Sequence, residues 1–372
     1  MHTTRTFTAM GSAVLVAFAL AGCTATSPEP SPAPSATSTS TSTSTATGML
    51  APEGTPTDIT TGLDVPWSVV FAGTTPIVSE RDTGRVLELD ATGTAREVGR
   101  VEGIAPRGEG GLLGLAIQGE STLYAYSTGS GGNRIERFDL DGTPGAMSLG
   151  PAETVITDLP SSSYHNGGRL AFGPDGMLYA SIGDTGDRSS AQDVSTLSGK
   201  ILRMAPDGSI PQDNPFPASL VYSYGHRNVQ GLGWASDGTM FASEFGQDSW
   251  DELNIITPGG NYGWPNVEGV GEDDDFINPV QVWAPADASP SGLTVVADTV
   301  FIANLRGETL RAVPVADPGA HADYFAGTYG RLRAVAAAPD GRLWIVTNNT
   351  GGQGTPAAGD DRIISVPLAR SE

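Results

Sequence analysis

Residues 163–184, SYHNGGRLAFGPDGMLYASIGD, place one of only four histidines, His165, on a glycine-rich turn. A strand-like run follows, then an Asp-Gly turn at Asp175 and Gly176, then the alternating strand MLYASIG, which delivers Asp184. A histidine and a carboxylate at the rims of two adjacent strands can act as a general base and the group that orients it. In the plainer alternative His165 is a loop histidine and Asp184 a turn residue. Several other chemistries lack their motifs: the chain has no G-x-x-x-x-G-K-[ST], H-E-x-x-H or G-x-S-x-G run. Gly352-x-Gly354 is not a dinucleotide loop, because Pro356 stands where a helix should open.

The elements that would carry these residues are strands. Helical periodicity is hard to find, and short β-rich runs bounded by Gly, Asp and Pro dominate. A small residue, then Asp-Gly, then an alternating strand recurs as GPDGMLYASIG, ASDGTMFASEFG and APDGRLWIVTNN. Weaker copies are GESTLYAYST, VADTVFIANL and TTPIVSERDTGRVLELD. Anchored on Ile77, Tyr124, Tyr179, Phe241, Phe301 and Trp344, the six copies fall on average about 53 residues apart, close to one propeller blade of four strands with its loops. The expectation is an all-β, six-bladed β-propeller of four-stranded antiparallel blades, with a site built from loops at one end. A β-sandwich would not explain the recurring Asp-Gly signal.

The ends of the chain read differently. Residues 1–8 carry His2 and Arg5 and no acid, and residues 9–21 are mostly small and apolar. That run is too short to span a bilayer comfortably. It closes on Leu20-Ala21-Gly22-Cys23, which resembles a lipobox. Residues 1–22 are therefore expected to be a lipoprotein signal peptide with Cys23 as the lipidated first residue; an ordinary secretory signal is the alternative. Cys23 is the only cysteine, so disulfides, thiolate catalysis and cysteine metal sites are excluded from the body. Residues 23–56, nearly all Ser, Thr, Pro and Ala, bury too little apolar surface to fold and are expected to be a disordered tether. Residues 57–368 form the expected globular body. A net charge of −22 argues against a nucleic-acid partner and suits a body on the outer face of the cell membrane, attached only through its lipid.

Five stretches carry further candidate residues: RGEGGLLG from Arg107, HNGGRL from His165, YGHRNVQGL from Tyr224, EFGQDSWDELN from Glu244 with NYGWP after it, and YGRLRAV from Tyr329. Singly each has a structural explanation: turn glycines, a surface ion pair for Arg227, a solvated edge at Asp251 and Glu252, core packing for Tyr262 and Trp264. Together, in this order, they resemble the soluble glucose/sorbosone dehydrogenase family, quinoprotein aldose dehydrogenases that use pyrroloquinoline quinone (PQQ) and calcium. The resemblance extends over residues 62–365.

It implies a role for each matching residue. His165 matches the base that takes the anomeric hydroxyl proton while hydride leaves C1 for the quinone, and Asp184 matches the carboxylate that orients it. Arg227 and Asn228 match residues beside the quinone, where an arginine stabilises developing negative charge. Arg331 and Arg333 match cations that hold cofactor carboxylates, and Arg306 stands where some members have a lysine. Glu252 and Tyr262 match a calcium site, and the backbone carbonyls of Gly246 and Gln247 are candidate ligands of a cofactor calcium. An acidic chain that binds a tricarboxylate needs such local arginines.

Three departures from the family pattern stand out. Glu109 replaces a cofactor-contacting glutamine, where an ionised carboxylate would repel PQQ. Phe245-Gly246-Gln247 replaces His-Gly-Pro, which leaves that turn less fixed. The loop after NYGWP carries Glu272-Asp273-Asp274-Asp275 and no obvious aromatic cover. The function expected is a PQQ- and calcium-dependent aldose, or related alcohol or aldehyde, dehydrogenase that meets a small sugar and an electron acceptor of unspecified kind. The competing readings are a calcium-dependent lactone hydrolase and a non-catalytic surface propeller that binds glycan or a partner.

Overall fold

A computed structural model of the protein describes residues 48–371. Its strands form six radial antiparallel sheets. The innermost strands, Pro66–Ala72, Leu112–Gln118, Leu170–Phe172, Val229–Trp234, Pro290–Val296 and Leu332–Ala337, pack each against the next, and the last returns to the first. That closed ring is a six-bladed propeller, as the repeat predicts.

The repeat marks one strand of each blade. Ile77, Tyr124, Tyr179, Phe241, Phe301 and Trp344 all lie in the second strand of their sheets, and all are buried. Strands such as Thr75–Glu80, Met240–Glu244 and Leu343–Thr347 are buried at every residue because neighbouring blades cover both faces. The Asp-Gly signal has a local cause. Asp175, Asp237 and Asp340 each accept the N–H two residues on through Oδ1, at 3.1, 2.9 and 3.1 Å, and the glycine between takes a left-handed φ of 75 to 91°. These turns join first to second strands. Glu109, His165, Asp184, Arg227, Asn228, Gly246, Gln247, Arg306 and Arg331 follow second strands or precede first strands, so the topology gathers them at the opposite end; Arg333 lies within a first strand, Glu252 near the start of a third strand and Tyr262 on the loop after it.

Blade 6 is closed by the N-terminal part of the chain: Thr57–Thr61 pairs with Arg362–Val366 as its outer strand. Outside it, Leu50–Pro52 pairs with Leu368–Arg370, and Met49 is buried. The tether boundary expected at residue 56 is therefore corrected: residues 49–52 belong to the fold because the C-terminal strand offers them a partner. The second sheet also departs from four strands. Its long strand Gly132–Asp141 pairs with both Glu153–Leu159 and the two-residue Ser148–Leu149. The expected signal peptide, Cys23 and tether residues up to 47 lie outside the described residues.

Candidate active site

The loop before blade 3 carries His165, and the loop after the second strand of that blade carries Asp184. His165 has a left-handed φ of 54°, held in place from two sides. Its N–H donates to Glu109 Oε2 at 2.8 Å, and Gly183 lies so close that a Cβ there would stand 2.0 Å from the His165 carbonyl oxygen. Only glycine fits at 183, which brings the two loops together. His165 Nδ1 lies 2.7 Å from Asp184 Oδ1. Asp184 also accepts the Gly186 N–H at 2.9 Å and the Trp264 indole N–H at 2.9 Å. Burial pushes its carboxyl up, but the hydrogen bonds from His165, Gly186 and Trp264 outweigh that and hold it below the usual aspartate range. An ionised Asp184 accepts, so His165 donates from Nδ1, and in the neutral ring the lone pair lies on Nε2.

Arg227 and Asn228 precede the inner strand of blade 4 and are anchored by Glu244. Glu244 Oε1 accepts both their backbone N–H groups, and its Oε2 meets the fully buried His226 Nδ1 at 2.9 Å. Arg227 donates from Nη1 to the Phe245 carbonyl at 3.2 Å and faces the Trp264 ring. Burial pulls its guanidinium down, opposed by Asp184, Glu244, Glu268 and Glu109. Asn228 Oδ1 accepts the Gly167 N–H at 3.1 Å, which ties blade 4 to the histidine loop.

A cavity of about 550 Å³ opens beside these groups, walled by Tyr164, Asn166, Gly167 and Phe245 and lined by Arg81, Arg306, Arg331 and Arg333. Among the described residues Glu109 is its only lining carboxylate. Arg81 is paired with Asp82, but among the described residues the Arg333 side chain hydrogen-bonds only to Gln230 Oε1 and Ser291 Oγ, at 3.2 and 3.3 Å. Burial, with the neighbouring Arg81 and Arg331, pushes the Arg333 guanidinium down to about 9. Behind it Arg169 packs 4.2 Å from the Trp67 ring centroid, and burial pushes it down to about 9 as well. Buried nitrogens of Arg169, Arg227, Arg331, Arg333 and Asn228 have no hydrogen-bond partner among the described residues. Concentrated positive charge and unused donors in an acidic protein suit a polyanion with carboxylate oxygens.

Of the expected residues, Glu109, Arg306, Arg331 and Arg333 line the cavity. His165, Asp184, Arg227 and Asn228 do not line it themselves; their chain neighbours Tyr164, Asn166 and Gly167 do, and the His165 side chain keeps 13% exposure. The expected metal ligands form a neighbouring layer. Glu252 sits opposite Glu244 in register; its Oε2 accepts from Asn254 at 3.0 Å and its Oε1 from the Gly269 N–H at 2.7 Å. Burial, then Glu244 and Glu268, push Glu252 far above the usual glutamate range. Tyr262 stacks on His226 with ring centroids 4.7 Å apart. The Gly246–Gln247 turn is fixed without proline: Glu268 Oε1 accepts the N–H groups of residues 247 to 250, at 2.6 to 3.2 Å. Among the described residues no group of three or more His, Cys, Asp or Glu side chains is arranged around a metal position.

Trp67, Arg81, Arg169, Gln230, Trp264 and Glu268 join the site in addition to the residues expected from sequence. Arg169 and Trp264 stand inside the quoted HNGGRL and NYGWP motifs, so the motifs marked them without giving them work. Trp67, Arg81 and Glu268 carry no local signal; only the closing of the ring brings them in.

Comparisons with known proteins agree in extent with this geometry. A family model described as glucose/sorbosone dehydrogenase matches residues 63–356. Quinoprotein glucose dehydrogenase B of Acinetobacter calcoaceticus is 34% identical over 238 residues, which is 54% of this chain and 49% of that protein, so the match spans about half of that relative's length. An aldose sugar dehydrogenase of Escherichia coli is 28% identical over 335 residues, 78% of this chain and 89% of that one. The PQQ-bound structure of an aldose sugar dehydrogenase from Streptomyces coelicolor superposes with a TM-score of 0.81 at 46% identity, covering 86% of this chain and all of that one.

Proposed function

The chain belongs to the glucose/sorbosone dehydrogenase family, and on that premise we propose that it is a PQQ-dependent dehydrogenase that oxidises an aldose, or a related alcohol or aldehyde, at C1. The observation that carries this reading is the cavity lined by Arg331 and Arg333, whose buried Nε atoms have no hydrogen-bond partner among the described residues, close to a histidine held through Nδ1 by Asp184. Arg331, Arg333, Arg306 and Arg227 would hold the cofactor's carboxylates and quinone edge. PQQ, when bound, supplies a quinone that accepts hydride. His165 takes the C1 hydroxyl proton at Nε2, and Asp184 holds the ring by Nδ1 and stabilises the imidazolium that results. The product is then a neutral lactone. Arg227 lies where negative charge would develop.

Calcium fits the second layer. The Gly246 and Gln247 carbonyls accept no hydrogen bond among the described residues, and Glu252 with the Tyr262 carbonyl would bind a second ion that relieves the crowding of Glu244, Glu252 and Glu268. We assign residues 1–22 to a lipoprotein signal, Cys23 to lipidation and the body to the outer face of the cell membrane; intact-mass analysis of the membrane-extracted protein tests this.

The deciding experiment is reconstitution of the purified apoprotein with PQQ and calcium. A quinone absorbance that bleaches when an aldose is added is the expected result. A protein that binds no PQQ would instead be a non-catalytic propeller, and lactone hydrolysis without PQQ would place it among the hydrolases.

A further inference from the structure

Asp184 is fully buried, and both of its carboxylate oxygens are engaged. Oδ1 takes the His165 Nδ1–H and the Gly186 N–H; among the described residues Oδ2 takes only the indole N–H of Trp264, from a loop eighty residues away in sequence. We propose that Trp264 is a positioning residue for the base: it fixes the carboxylate of Asp184, and through it the tautomer and ring plane of His165. This rests on the proposed role of His165 and extends it to a residue that need not touch substrate.

The carboxylate torsion of an aspartate is broad and roughly two-fold. Without a donor on Oδ2, Asp184 could turn about Cβ–Cγ and offer His165 either oxygen at a range of angles. Trp264 removes that freedom only if it is itself fixed, and it is. It is 7% exposed, and its backbone N–H donates to the Gly225 carbonyl at 2.9 Å. Its carbonyl accepts Gln192 Nε2 at 2.7 Å, and the guanidinium carbons of Arg188 and Arg227 lie 5.4 and 5.6 Å from its ring centroid. Gln192 is locked in turn by a two-way amide contact with Asn261, at 3.0 and 2.9 Å.

The anchor of this chain is Lys200. The residue is fully buried, and its ammonium donates to the carbonyls of Ser190, Ala191 and Ser198 at 2.8, 3.0 and 2.6 Å. It thereby pins the segment that carries Gln192. A tryptophan that merely filled core space would need none of these directional contacts, and its N–H would have no reason to end on the carboxylate behind the base.

The two roles separate by spectroscopy. In ¹⁵N-labelled apoprotein at neutral pH, long-range ¹H–¹⁵N spectra report which His165 nitrogen carries the proton, whether or not the protein oxidises sugar. The parent is expected to show a single Nδ1–H tautomer. Trp264→Phe keeps an aromatic ring and deletes the donor; mixed tautomers are expected, with kcat down about tenfold or more and KM within about threefold, the pattern of a group that acts only on the chemical step. An unchanged tautomer with kcat within about threefold of the parent overturns the proposal. If Trp264→Phe does not fold, Gln192→Met frees the tryptophan carbonyl while keeping the indole, and the same readings decide. If the tautomer shifts but the parent oxidises no aldose, the positioning role stands and the dehydrogenase reading fails.

Discussion

Glu109 Oε2 accepts the backbone N–H of His165 at 2.8 Å, so the carboxylate at the cavity rim holds the residue proposed as base in its left-handed conformation. The Glu109 N–H in turn donates to the Ser163 carbonyl at 2.9 Å, which makes the contact reciprocal between the two loops. An acid at this position therefore has structural work, apart from any repulsion of a carboxylate-bearing ligand.

Acceptor and charge can be separated at Glu109. Glu109→Gln keeps an oxygen for the His165 N–H and removes the negative charge. PQQ affinity, followed by absorbance titration of the apoprotein, is expected to rise severalfold while kcat stays within about threefold. Glu109→Ala removes both, and kcat is expected to fall about tenfold or more as the loop relaxes. Weaker PQQ binding by Glu109→Gln would show that the carboxylate assists the cofactor instead of opposing it.

His165→Ala is expected to lower aldose oxidation by about a hundred- to ten-thousand-fold, with melting temperature and PQQ affinity nearly unchanged. Asp184→Asn leaves the His165 and Trp264 donors a single acceptor oxygen and should slow turnover with little effect on cofactor affinity. Arg227→Ala should impair both rate and affinity. Activity of His165→Ala within about threefold of a parent that demonstrably oxidises the sugar would remove the histidine from the chemistry.

Arg333 is a buried cation that faces the Trp67 ring and whose side-chain hydrogen-bond partners, among the described residues, are two neutral oxygens. Replacing an unpaired buried charge by an apolar side chain often stabilises a fold. Arg333→Met is therefore expected to raise the melting temperature of the apoprotein while weakening PQQ binding about tenfold or more, the sign of a site held ready at some expense of stability. Differential scanning calorimetry with and without PQQ reads both effects. A lower melting temperature in the PQQ-free variant would mean that Arg333 serves packing.

The repeat made the fold legible because a single physical cause, an Asx turn between the first two strands of a blade, leaves the same Asp-Gly mark at Asp175, Asp237 and Asp340. The His165–Asp184 pair was legible because adjacent strands deliver both. Trp264 and Glu268 were not, since their roles depend on loops from other parts of the ring that no local pattern specifies. The Met49–Pro52 segment was hidden for a related reason: its strand character comes from the C-terminal strand it pairs with, not from its own composition.

The layer beneath the Gly246–Gln247 turn makes a prediction about pH with a definite sign. Burial, Glu244 and Glu268 raise the carboxyl of Glu252 well above its ordinary value, 4.5. Between that value and the raised one, the folded protein binds a proton at Glu252 that the unfolded chain does not. Glu252 therefore makes stability fall as pH rises through this window. Calcium reverses the effect, because a cation bound only by the native state favours the ionised carboxylate and stabilises by mass action. Melting temperature in chelator is expected to drop from pH 5 toward pH 8, and added calcium should restore it most at the upper end. Glu252→Gln carries no proton to lose, so its melting curve in chelator should be flatter over that range and its response to calcium small. Equal calcium responses at pH 5 and pH 8, or a Glu252→Gln variant that responds like the parent, would place the ion elsewhere.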